Sequence, residues 1–168
     1  MDSVVAAKRL EVCSTSGPQL AIPRIFGDPR YPTHLAERAR MYAARAEEAY
    51  KELSRVPGIR VSPAHGAFYM TVTFADGVLN GRNVLPISDP RLRQTVERQA
   101  ENAPPDARFV YYLLASTGIC VVPLSGFCTQ HPGFRFTLLE TDDQKRAWIF
   151  RTLAQALAEY LETEKSAA

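Results

Sequence analysis

Two short segments of this 168-residue chain alternate strictly between apolar and polar side chains. In Gly133–Leu139, Phe134, Phe136 and Leu138 fall on one side, and Arg135 and Thr137 on the other. In Ala67–Phe74, Phe68, Met70, Val72 and Phe74 oppose Tyr69, Thr71 and Thr73. A period of two sends successive side chains to opposite faces of a strand, so each segment reads as a strand with one buried face and one polar face. If the two polar faces coincide, the uncovered side of the sheet carries Tyr69 and Arg135. A guanidinium placed there suits a carboxylate, which it holds through two parallel hydrogen bonds. The turn ahead of it, Pro123-Leu124-Ser125-Gly126-Phe127, carries the chain close to such a ligand.

Helical patterns surround these strands. Leu35, Ala39, Tyr42, Ala46, Ala49, Tyr50 and Leu53 mark one face of a helix from about His34 to Arg55, with Thr33 as N-cap and Pro57-Gly58 ending it. A short strand is expected at Ile59–Ser62, a loop at residues 75–88 and a polar helix from Pro90 to Gln99. After Pro104-Pro105, Asp106 caps an apolar helix striped by Phe109, Val110, Leu113 and Leu114, and Gly118 takes the left-handed position at its end. A strand at Ile119–Val122 and a loop at 125–132 then lead to the Arg135 strand. Thr141 with Gln144 makes a capping box for a last helix that buries Phe150, Leu153, Ala154, Leu157 and Leu161.

Residues 1–12 read as a short helix. Residues 13–33, with four prolines and two glycines, read as a loop or connector. The expected organisation is therefore an N-terminal connector over 1–33, one domain over 34–162 and a frayed tail over 163–168. Short, half-polar strands in this order give an α+β fold: a small, mainly antiparallel sheet covered on one face by helices.

Composition narrows the function. A net charge of +2, with sixteen arginines and four lysines scattered rather than striped, argues against nucleic acid. No apolar run reaches bilayer-spanning length, and the first residues do not pattern as a signal peptide. Three cysteines, Cys13, Cys120 and Cys128, with no Cys-x-x-Cys pair, point to reduced thiols in a cytoplasm and against a metal site. Cys128 and His131 lie three apart but lack a third, orienting group, so a thiol–imidazole nucleophile is not the expectation. His34 and His65 have no metal-ligand spacing.

The run Thr117-Gly118-Ile119-Cys120-Val121-Val122-Pro123, then Ser125-Gly126-Phe127 and Phe134-Arg135-x-Thr137, resembles the C-terminal small domain of fold type I pyridoxal-phosphate aminotransferases, nearest the alanine aminotransferase group. Val56-Pro57-Gly58-Ile59 and Gly66-Ala67-Phe68-Tyr69 extend the resemblance in the same order, so that it covers most of residues 8–160. It implies that Arg135 clamps the substrate α-carboxylate, that Ser125 and Gly126 form the turn beside the substrate, and that Tyr69 borders the site or supports Arg135. It also implies pyridoxal phosphate as cofactor in a complete enzyme, an amino acid and a 2-oxo acid as substrates, and a dimer.

Two departures stand out. Leu124 occupies a position where that family often has glycine. The Ser-x-Ser-Lys context of the Schiff-base lysine is missing: the lysines are Lys8, Lys51, Lys145 and Lys165, and Lys8 between Ala7 and Arg9 reads as helix surface. The chain thus reads as the back third of an aminotransferase, with residues 1–33 as the end of a large domain, inactive alone and binding no cofactor by itself. The alternatives are a stand-alone module that binds a carboxylate or a protein, and a remnant without function.

Overall fold

The computed structural model describes residues 1–9 and 16–162, apart from the Lys8 side chain. The expectations for residues 10–15, including Cys13, and for the tail with Lys165 lie outside the described residues. Residues 1–38 and the residues from 39 onward form two compact units.

The first unit holds helices α1 (Asp2–Arg9) and α2 (Ser16–Phe26) and the start of α3 (Tyr31–Leu53). Helix α2 corrects the loop expected there. Pro18 sits in its first turn, where the backbone N–H has no intrahelical acceptor to lose, and Pro23 removes one interior hydrogen bond without ending the helix. Helix α3 begins three residues before the expected start, so Thr33 lies inside it rather than at its cap. The α2–α3 turn is closed by Asp28, whose carboxylate accepts from the Arg30 backbone N–H at 2.9 Å and from its guanidinium at 2.7 and 3.0 Å. The Arg30 bonds hold the Asp28 carboxyl below its ordinary value.

The second unit is the expected α+β layer pair. Strands β1 (Ile59–Val61), β2 (Tyr69–Phe74), β3 (Val122–Pro123) and β4 (Gly133–Thr137) form one four-stranded sheet in the order β1-β2-β4-β3, antiparallel throughout. Helices α4 (Pro90–Ala100), α5 (Pro105–Thr117) and α6 (Asp143–Glu162) complete it. Strand β3 is shorter than expected. Ile119 and Val121 are buried, but only Val122 and Pro123 pair with β4.

The apolar sheet face and the helices close on a cluster of rings. Phe109 of α5 lies 5.4 Å from both Phe74 and Phe134 and 5.1 Å from Tyr160, and Phe136 meets Phe150 at 6.0 Å. Each fully buried side chain of this size contributes about 1.5–3 kcal/mol of transfer free energy. In α5 the stripe is shifted from the expected one: Tyr112 is buried and Leu114 is exposed.

Polar fasteners tie the helices to the sheet. The buried Arg45 guanidinium donates to the Leu138 carbonyl at 2.8 Å, and Arg146 donates to Glu48 at 2.9 Å and Asp143 at 2.8 Å. The cap of α6 also differs from expectation. Asp142, not Thr141, accepts from the backbone N–H of Lys145, while Glu140 accepts from the N–H groups of Thr141 and Asp142. Asp89 caps α4, accepting from the backbone N–H groups of Arg91 and Leu92. Gly118 ends α5 at φ +77°, its N–H on the Leu114 carbonyl, where a left-handed residue is required.

Candidate functional site

The pairing of β2 with β4 decides which side chains share a face. Tyr69 stands opposite Thr137, Thr71 opposite Arg135 and Thr73 opposite Gly133. The period of two then places Tyr69, Thr71, Thr73, Arg135 and Thr137 on one side of the sheet, with Val122 of β3 beside Arg135. The two polar strand faces coincide, as the alternation requires if the strands are neighbours in this register.

Arg135 is half-buried, and two rings flank it. Its guanidinium carbon lies 4.4 Å from the centroid of Tyr69 and 4.3 Å from that of Phe127. Tyr69 is itself backed by Phe68 at 4.3 Å, which in turn meets Tyr42 of α3 at 6.1 Å. Among the described residues, no oxygen accepts a hydrogen bond from Arg135 and no carboxylate pairs with it. The cation is held by ring faces, and its fork of N–H donors meets no acceptor among the described residues.

Phe127 was not singled out by the sequence. It ends a 3-10 turn, Leu124–Phe127, and the next residue, Cys128, has φ +56°. The fastening of this turn explains its position. Asp106 is not the N-cap expected for α5: Pro104 holds that position, and Asp106 lies inside the first turn, only 1 % exposed. One carboxylate oxygen accepts from its neighbour Ala107 at 2.9 Å; the other accepts from the Ser125 N–H at 2.8 Å and the Gly133 N–H at 3.4 Å. A single carboxylate thus joins the start of α5, the 3-10 turn and the start of β4. No local pattern announces such a role, because Asp106 and Gly133 are 27 residues apart.

Ser125 and Gly126 are exposed on this turn, and a β-carbon at Gly126 would meet no atom of this chain within 4 Å. Leu124, the departure from the resembling motif, is buried. Its side chain packs against Gly133, where an added β-carbon would come within 2.8 Å of Leu124 Cδ1 and collide with the Val72 carbonyl oxygen. Leu124 is therefore spent on packing.

The other candidates stay apart from this group. Cys128 and His131 are exposed, and no hydrogen bond joins them; the His131 N–H donates to Thr129 Oγ1. No cluster of His, Cys, Asp or Glu among the described residues has the arrangement to hold a metal ion. No helix among them is long and apolar enough to cross a membrane. A cavity of about 480 Å³ beside α6, lined in part by Cys120, Phe136, Thr137, Lys145 and Trp148, does not include Arg135.

No family model matches the chain. Among curated proteins it is similar to the uncharacterized aminotransferase MJ1479 of Methanocaldococcus jannaschii, with 52% identity over 97% of this chain and 38% of that protein. It is also similar to alanine aminotransferase 2 of Xenopus tropicalis, with 34% identity over 74% of this chain and 22% of that protein. The chain therefore spans well under half the length of these relatives. Among solved structures, the aspartate aminotransferase of Rhizobium meliloti superimposes with a TM-score of 0.61 at 23% identity, over 95% of this chain and 34% of that one. That likeness carries the fold, and the sequence matches carry the kinship: this chain belongs to the fold type I aminotransferases and corresponds to their C-terminal part.

Proposed function

We propose that the chain is the substrate-carboxylate-holding domain of a pyridoxal-phosphate aminotransferase, which moves an amino group between an amino acid and a 2-oxo acid. The single observation that supports this most is Arg135: a guanidinium on the open polar face of the sheet, flanked by aromatic rings and without an acid partner among the described residues. In this reading Arg135 takes the α-carboxylate in two parallel hydrogen bonds and so fixes the orientation of the bond that reacts. Ser125 and Gly126 line the approach, and Tyr69 borders the carboxylate through its contact with Arg135.

When bound in a complete enzyme, pyridoxal phosphate supplies an electron sink for the carbanion at the α-carbon. The described residues do not fit that group. A Schiff-base lysine needs a lowered pKa. Lys145 instead has its pKa raised by its 2.8 Å bond to Glu140, and Lys51 pairs with Glu47 at 3.4 Å on an exposed helix face. In this reading the lysine and the phosphate contacts come from outside the described residues. The test is turnover: the purified chain, given pyridoxal phosphate, 2-oxoglutarate and a panel of amino acids, is expected to form no glutamate. Measurable turnover by the chain alone would overturn this assignment of roles.

A further inference from the structure

We infer that Phe127, held in place by the Asp106 carboxylate, is a positioning residue that with Tyr69 fixes the Arg135 guanidinium for carboxylate capture; this deepens the reading above and rests on it.

Three observations converge on Phe127. The first is contact. The guanidinium carbon of Arg135 lies as close to the Phe127 centroid, at 4.3 Å, as to that of Tyr69, at 4.4 Å. Tyr69 comes from β2 and Phe127 from the 3-10 turn, so two separate elements restrict one flexible side chain. An arginine free to rotate loses rotamer entropy when it binds a planar acid, whereas one already stacked has lost much of it. The rings engage the cation electrostatically through their faces, and no hydrogen bond joins Arg135 to the Tyr69 hydroxyl, so the donors stay available.

The second observation is backbone conformation. Among the described residues, two that are not glycine have positive φ: Ala67 at +58° and Cys128 at +56°. Cys128 directly follows Phe127, and Ala67 lies two residues before Tyr69. A left-handed conformation at a residue with a β-carbon is strained and persists where surroundings enforce it. Here one instance directly follows one ring of the clamp and the other lies two residues before the second.

The third is fastening. Phe127 is 44% exposed and is not anchored by burial. The turn that carries it is anchored instead by the 2.8 Å bond from the Ser125 N–H to Asp106 and by the packing of Leu124 against Gly133. The same Asp106 oxygen also meets the Gly133 N–H, so the ring and the arginine strand share one reference point.

The experiment follows the Nε–Hε resonance of Arg135 by NMR in the full ¹⁵N-labelled chain, assigned by its loss in Arg135→Gln, with pyruvate as the carboxylate probe. Phe127→Leu keeps an apolar side chain but removes the ring. It is expected to move the resonance out of its ring-current position and to weaken pyruvate binding by about 2–5-fold, the value of one exposed cation–π contact. Phe127→Tyr, which keeps the ring, is expected to restore both. Asp106→Asn should shift the Arg135 resonance in the same sense without touching either partner of the stack. If the wild type binds pyruvate and Phe127→Leu binds it equally well, the positioning role is overturned and the carboxylate reading survives. If the wild type binds no pyruvate although Phe127→Leu still moves the resonance, the carboxylate reading fails and the inference falls with it.

Discussion

Replacing Asp106 with alanine removes an acceptor shared by three backbone N–H groups. The Ser125 bond at 2.8 Å joins segments 19 residues apart, the Ala107 bond at 2.9 Å is local, and the Gly133 contact at 3.4 Å is at the long end of hydrogen-bond geometry. A hydrogen bond to a charged acceptor contributes about 1.5–3 kcal/mol, and a buried donor left without a partner costs about 1–3 kcal/mol. The Ser125 bond is lost in full and the Gly133 N–H, on a buried residue, is stranded. With the long Gly133 contact taken at the low end of its range, the two together give an expected loss of about 2.5–4 kcal/mol, in the upper range for single substitutions. For a domain of this size that corresponds to a fall in Tm of roughly 5–16 °C. Urea unfolding followed by circular dichroism measures it directly, as a lower midpoint at unchanged slope. A loss below about 0.5 kcal/mol, the level of an ordinary surface substitution, would refute the view that this carboxylate fastens the turn to the sheet.

Other expectations follow from the same packing. Gly133→Ala drives a β-carbon into the Val72 carbonyl and toward Leu124 Cδ1, so it should destabilise by about 1–3 kcal/mol or more, whereas Gly126→Ala should fall within about 0.5 kcal/mol of wild type; equal effects in thermal melts would contradict this. Among the described residues, none makes a hydrogen bond to the buried Tyr160 hydroxyl. Burial raises its pKa well above the ordinary tyrosine value, and the nearby Arg108 charge opposes this only in part. A raised folded-state pKa means that this contribution to stability is full below about pH 10, the unfolded tyrosine value, and is lost as pH climbs above it. Tyr160→Phe should therefore be neutral or slightly stabilising at pH 7 and should flatten the alkaline loss of stability in denaturant titrations from pH 8 to 11. A clear destabilisation at pH 7 would mean that the hydroxyl does find a partner.

The sequence made one half of this site readable and hid the other. Alternation alone set Tyr69 and Arg135 on polar strand faces, because a period of two admits no other arrangement within a strand. Their contact required the register Thr71 opposite Arg135, a pairing across more than sixty residues that no local pattern encodes. Phe127 escaped notice because it sits on a turn whose geometry depends on Asp106, which reads as a helix cap but instead reaches across to Ser125 and Gly133. Helix α2 was hidden by its prolines: Pro18 and Pro23 suggest a break, yet one occupies the tolerant first turn and the other costs only a single bond. The capping of α6 slipped by one residue, since Thr141 and Asp142 are both competent caps and the Lys145 N–H selects Asp142. The layer architecture was legible throughout, because the ring-rich face of β2 and β4 and the apolar stripes of α5 and α6 each demand a partner and each other's faces satisfy them.

The most direct measurement on the central claim is an NMR titration of the full chain with pyruvate, comparing wild type with Arg135→Gln. The account predicts that pyruvate shifts the resonances of Arg135, Tyr69 and the Ser125–Phe127 turn in the wild type, and that Arg135→Gln weakens binding by at least about tenfold, the 1.4 kcal/mol expected at minimum from a charge-assisted pair. Equal binding by both proteins, or shifts confined to other parts of the chain, would contradict it.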